Sequence, residues 1–111
     1  MVDLAFLRKF TKDDPIKMKR YISLYLDVAP KTLEEMQRNR QNEDWEQLRI
    51  NAHSLKPQAE FMGILRLKEA LFNIEEAVKL NNHDAIEKLL DESLTLSIQS
   101  ENELKELLSQ F

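Results

Sequence analysis

At 111 residues the chain is long enough for one domain that buries roughly two thirds of its unfolded surface, and too short for two. With 42% apolar and 32% charged residues, one glycine and three prolines, it reads as globular and helical and lacks the turn glycine that sheet folds use. A net charge of −4 with both signs interspersed argues against a nucleic-acid surface and for a protein partner, and the absence of cysteine excludes disulfides and thiolate chemistry.

The first predicted helix runs from about Asp3 to Phe10 with Leu4, Leu7 and Phe10 on one side, and Thr11-Lys12-Asp13-Asp14-Pro15 breaks it. Asp14 caps the next helix and Pro15 fits its first turn. That helix carries Met18, Ile22, Tyr25, Ala29, Leu33 and Met36 at intervals of four, three, four, four and three. The period passes through Pro30 unchanged, so a kink is expected there rather than a stop. Asn39-Arg40-Gln41-Asn42 reads as the first clear loop, and Glu43 and Asp44 open the third helix, where the helix dipole favours acidic groups.

The third helix has the stripe Trp45, Leu48, Ala52, Leu55 and Ala59. Gly63 follows as a left-handed stop, with a turn at about Met62 to Ile64. Leu67, Leu71, Ile74 and Val78 form the buried side of the fourth helix, which ends at Asn81-Asn82. His83-Asp84 starts the last one, whose stripe runs through Ile86, Leu89, Leu90, Ser93, Leu96, Ser97, Ser100, Leu104, Leu107 and Phe111. Its three serines mark a place where helices can approach closely.

Four long amphipathic helices with short polar loops predict an all-α fold, an antiparallel up-down-up-down four-helix bundle closed at one end by the short N-terminal helix. A longer helical hairpin array is the other arrangement, and two helical termini favour the bundle. The first ten residues hold neither a long apolar run nor a small-residue cleavage site, and no stretch approaches the ~18 apolar residues of a membrane helix. A cytoplasmic address is the expectation. The Met1 start and the helix running to Phe111 favour a free-standing protein, and with no hydrophobic strip clearly left over a monomer is expected.

His53 is the most informative residue. It lies one position, about 100°, off the apolar stripe of its helix, which points it to solvent. Lys56 is one turn on, on the same face. A lone helical histidine is most often structural or simply solvated, and three features weigh against that here. Ile50 and Pro57 lie one turn either side, with Arg49, Lys56 and Glu60 flanking, a partly apolar patch rimmed by charge of the kind partners dock on. Lys56 places an ammonium where it neutralises a phosphoryl oxygen. Pro57, within the run of the stripe, removes the backbone hydrogen bond to the His53 carbonyl, a local cost of up to ~3 kcal/mol in an ordinary helix. Taken singly, each has a plain reading: an exposed apolar side chain, a solvated lysine, a tolerated defect.

Ala52-His53-Ser54-Leu55-Lys56, with Gly63 ten residues after the histidine, resembles the signature of histidine-containing phosphotransfer (HPt) domains. The likeness extends from the Pro30 helix through Trp45 to the capped last helix. It departs from the family at Pro57, where glycine is common, and at Glu60, where a small residue is usual, which bears on the choice of partner. The resemblance implies that His53 is the phosphoryl acceptor, that Lys56 stabilises phosphoryl charge, and that the partners are receiver domains of response regulators or hybrid histidine kinases. Glu75 occupies the position from which many members set a glutamine or other polar group against the imidazole.

A carboxylate there fixes the tautomer by accepting from Nδ1–H, yet it also repels an incoming phosphoryl group. A plain surface glutamate is the equal alternative. Neither a Gly-rich phosphate loop nor a nucleotide-pocket motif is present, so the chain reads as a relay and not a kinase, with no cofactor of its own and Mg²⁺ supplied by the receiver. A metal-binding bundle is disfavoured because Ile50, not Glu, stands three before His53 and the other histidine, His83, is at a helix start. The serious rival is a non-catalytic adaptor bundle in which His53 does nothing.

Overall fold

Four three-residue turns, 12–14, 42–44, 62–64 and 80–82, organise the chain in the computed structural model, which describes residues 1–111. They separate α1 (Ala5–Thr11), α2 (Pro15–Gln41), α3 (Trp45–Phe61), α4 (Leu65–Lys79) and α5 (His83–Leu108), and no strand is present. The middle residue of each turn, Asp13, Glu43, Gly63 and Asn81, is left-handed. After α2, α3 and α4 the same closing bond recurs: the amides of Asp44, Ile64 and Asn82 donate to the carbonyls of Asn39, Ala59 and Ala77. This is the six-to-one bond of a left-handed helix stop, and it satisfies carbonyls that the helix end leaves free.

The expected Asp14 cap forms at the start of α2, and Asp44 and Asn82 cap α3 and α5 as well. Asp14 accepts from the amides of Ile16 and Lys17 ahead of Pro15, Asp44 from Gln47, and Asn82 from Ala85. Glu43 is a correction: it does not open α3 but sits in the turn with φ of 54°. Asn39 and Arg40 are a second correction, since α2 runs through the expected loop to Gln41 and Asn39 is buried. The cause is tertiary: Asn51 on α3 donates to the Asn39 side-chain oxygen at 2.7 Å, so the polar run has a partner inside the protein. Pro30 leaves α2 unbroken, and Pro57 leaves α3 unbroken.

The stripes bury as their spacing requires. Met18, Ile22, Tyr25, Ala29, Leu33 and Met36 from α2, Leu48, Ala52, Leu55 and Ala59 from α3, Leu67, Leu71 and Ile74 from α4, and Ile86, Leu90, Leu96 and Leu104 from α5 join one hydrophobic cluster. Trp45, Val78 and Leu107, at the ends of their stripes, are only half-buried, Phe111 lies beyond the end of α5, and Leu89, between the buried Ile86 and Leu90, sits half-buried at the edge of its stripe. Ser93, Ser97 and Ser100 are buried; Ser93 and Ser100 return their hydroxyls to the Leu89 and Leu96 carbonyls of their own helix.

Consecutive long helices pack on one another, and α2 also packs on α5, which closes a ring around the core. The long dimension, 43 Å against 20 and 19 Å across, matches the ~1.5 Å rise of the 27-residue α2. Arg40 near the end of α2 pairs with Glu87 and Asp91 near the start of α5 at 3.0 and 2.9 Å. The N-terminal segment lies at the other end: α1 packs on α2, Asp3 meets the turn at Gly63, and the Val2 amide donates to Glu103. Leu4 precedes α1 but is buried with Leu7, whereas Phe10 stays 56% exposed in an aromatic group with Phe6, Tyr21 and Phe61.

Candidate functional site

α3 turns Leu48, Ala52, Leu55 and Ala59 fully inward, which carries His53 out of the core. Its side chain is 68% exposed. On α4, Glu75 follows the buried Ile74 and is itself only 5% exposed, so the surface reading of this glutamate does not hold. Its depth comes from the interface with α3, which brings the His53 imidazole and the Lys56 ammonium onto one carboxylate. His53 Nδ1 lies 2.7 Å from Glu75 Oε1, and Lys56 Nζ donates to Oε2, also at 2.7 Å.

Burial by itself would raise the Glu75 carboxyl, but hydrogen bonds from Lys56 and His53, and their charges, outweigh it and hold it below the ordinary carboxylate value. An ionised carboxylate only accepts, so Nδ1 carries the proton and the lone pair of the neutral ring sits on Nε2, which has no protein partner. Lys56 also answers the electrostatic objection to a carboxylate here, because its ammonium neutralises Glu75 before any anion arrives. Charge-assisted bonds of this kind are among the stronger ones in proteins.

His53, Lys56 and Glu75 are thus brought together, while the flanking residues are distributed around them. Ile50 is 44% exposed and Pro57 is exposed, one turn to either side of the imidazole. Arg49 is held by Glu46 within α3 and feels the Glu75 charge. Glu60 pairs with Lys68 of α4 at 3.0 Å, so its charge is partly met.

Leu24 and Val28 on α2, and Leu65 and Phe72 on α4, escape the sequence reading. They are 53%, 37%, 60% and 46% exposed, which overturns the expectation that no hydrophobic strip is left uncovered. Leu24 and Val28 line a groove of about 440 Å³ with Pro57 and Phe61, and a second of about 460 Å³ lies across Pro57 between Phe6 and Leu65. The signal was present: Leu24 and Val28 are four apart, each one residue before a stripe position, and Phe72 is an aromatic one residue beyond the stripe.

No group of three or more His, Asp or Glu side chains is arranged to hold a metal ion, and no helix is long and apolar enough to cross a membrane. Neither the curated proteins nor the solved structures contain a match to this chain. Residues 20–111 match the family model described as Hpt domain, so that the match begins inside α2 and takes in every residue of the His53 site. Hpt domains are helical phosphotransfer carriers of two-component systems, generally not classed as enzymes, and they work with receiver domains. With most of its length matched, and a helical Ala-His-x-Leu-Lys run at the surface of an all-helical fold, the chain belongs to the Hpt domain family.

Proposed function

We propose that this chain is a phosphorelay intermediate, one domain over residues 1–111, in which His53 accepts a phosphoryl group from the aspartyl phosphate of a receiver domain and passes it to another. The observation that carries the reading is the pairing of an exposed Nε2 with an Nδ1 held at 2.7 Å by an ionised, buried Glu75. In the forward step the Nε2 lone pair attacks phosphorus in line, the bond from phosphorus to the aspartyl oxygen breaks, and its electron pair returns to the carboxylate. The Nδ1 proton stays in place, and Glu75 balances the positive charge that the ring gains. Reversal onto a second aspartate follows the same path.

Lys56 stabilises the phosphoryl oxygens, and the receiver brings Mg²⁺. Arg49, Ile50, Pro57 and Glu60 form the docking rim, extended by Leu24, Val28 and Phe72. We read the four long helices as running up-down-up-down, because each is joined to the next by three residues and the end of α2 meets the start of α5 through Arg40 and Glu87. A cytoplasmic monomer fits a carrier that moves between receivers.

The test is a phosphotransfer assay. The purified chain and His53→Gln are mixed with phosphorylated receivers from several sources, and acid-labile, base-stable label is sought on each. Label on the wild type alone supports the relay. If both proteins are folded and bind receivers yet neither takes label, the adaptor reading replaces it.

A further inference from the structure

Phe72 is 46% exposed and is not among the residues packed against the core. A phenyl ring left in water forgoes the burial that phenylalanine ordinarily contributes. Its ring has a different partner: Lys56 Nζ stands 5.3 Å from the ring centroid, inside the ~6 Å over which an aromatic face attracts an ammonium. The same ammonium is 2.7 Å from Glu75 Oε2. Phe72 and Glu75 are three residues apart on α4 and so share a face. Lys56 is therefore held by two groups of unlike character.

We infer that Phe72 is a positioning residue for Lys56, whose ring keeps the ammonium beside His53 when the salt bridge to Glu75 opens. The two holds respond differently to an incoming phosphoryl group. Glu75 competes with phosphoryl oxygens for the same ammonium. The ring attracts the charge through its face and takes none of the three N–H donors as a conventional acceptor would. A lysine stem carries large rotamer entropy, so an ammonium released from Glu75 with no second hold disperses into solvent. With the ring beneath it, release from Glu75 leaves Lys56 at the mouth of the groove of about 400 Å³ that it lines with Phe72, Leu65, Lys68 and Glu69.

The contact itself is independent of the phosphoryl-acceptor reading; its kinetic consequence rests on that reading, and two measurements separate them. In the unphosphorylated chain, ¹H–¹³C NMR reads the Lys56 Cε protons. The expected result is an upfield ring-current shift in the wild type, kept in Phe72→Trp and lost in Phe72→Leu; ordinary lysine shifts in the wild type overturn the inference. The second measurement uses phosphoramidate as donor, which needs no receiver: Nε2 attacks phosphorus, the P–N bond breaks and ammonia leaves.

Phe72→Leu is expected to label His53 about two- to fivefold more slowly, the size of one exposed cation–π contact. Phe72→Trp restores the rate, and in a Lys56→Met background Phe72→Leu has no further effect. An unchanged rate in Phe72→Leu, or an equal loss in the Lys56→Met background, overturns the positioning role. If wild type takes no label on His53, the acceptor reading fails and the NMR result alone decides whether Phe72 holds Lys56.

Discussion

The backbone carbonyl of Asp3 occupies the space that a side chain on Gly63 would enter: a Cβ built there falls within the Asp3 carbonyl group. Gly63 also has φ of +68°. Two demands therefore meet at the chain's single glycine, a left-handed stop for α3 and room for the N-terminal segment. Gly63→Ala loses at least about 1–2 kcal/mol from the backbone conformation alone, and the Asp3 clash adds to it. Gly63→Asn separates the two demands, because asparagine tolerates the left-handed region. Thermal unfolding is expected to show Asn nearly as damaging as Ala; a mild Asn variant would mean that the close approach of Asp3 matters little.

The Asn39–Asn51 bond makes a second test. Both side chains are buried, on α2 and α3, and their 2.7 Å contact is one of the few polar links across the core. Asn51→Leu leaves the Asn39 oxygen without its donor, a loss of about 1–3 kcal/mol. Asn39→Leu should cost a similar amount. In urea unfolding the double variant is expected to lose less than the sum of the two; strict additivity would show that the bond contributes nothing.

Tyr25 and Glu101 predict a stabilising change. The Tyr25 hydroxyl is buried without a partner, and burial, aided by the Glu101 charge, pushes its phenol above the ordinary value. Burial likewise raises the Glu101 carboxyl, more than the Ser97 bond lowers it. A carboxyl whose folded value is raised favours the fold below its unfolded pKa of ~4.3 and loses that favour as pH rises through the folded value. At pH 7 its charge therefore opposes folding. Glu101→Gln is expected to raise Tm at pH 7 and to leave it nearly unchanged at pH 3.5. Tyr25→Phe removes a hydroxyl that has no bond to lose, so no drop in Tm is expected.

The helices were legible because their buried residues recur at three and four, a pattern set locally by 3.6 residues per turn. Asp14, Asp44, Gly63 and Asn82 announced the ends for the same local reason. What the sequence left open depended on other helices. Asn39 sits in a polar run, and the Asn51 that meets it inside the helix bundle lies on another helix. Glu75 had equal claims to the surface and the interior, and the α3–α4 interface settles its depth. Glu43 belongs to a turn whose geometry places it left-handed, a position with no preference for glutamate. The His53 and Lys56 pair was visible because both lie on one helix, whereas Phe72 is a partner only across the interface.

Glu75 ties the site to stability and to pH. Its folded value lies below the unfolded ~4.3, so its contribution is present above that value and is lost as pH falls through the folded one. Glu75→Ala leaves Lys56 unpaired and His53 Nδ1 without an acceptor, and Tm is expected to fall at pH 7 while the gap to wild type closes toward pH 2.

The ring reports the same change. In ¹⁵N NMR the wild-type neutral imidazole is expected with its proton on Nδ1, and Glu75→Ala should move it toward the Nε2–H form that free histidine prefers. That form has no lone pair on Nε2, so phosphoryl transfer should slow on the order of tenfold, the equivalent of one charge-assisted bond of ~1.5 kcal/mol. Glu75→Gln, which still offers an oxygen to Nδ1–H but no charge to Lys56, should keep the tautomer and fall between the two in rate. A Glu75→Ala protein with wild-type tautomer and wild-type transfer would show that Nδ1 is oriented by something other than this carboxylate.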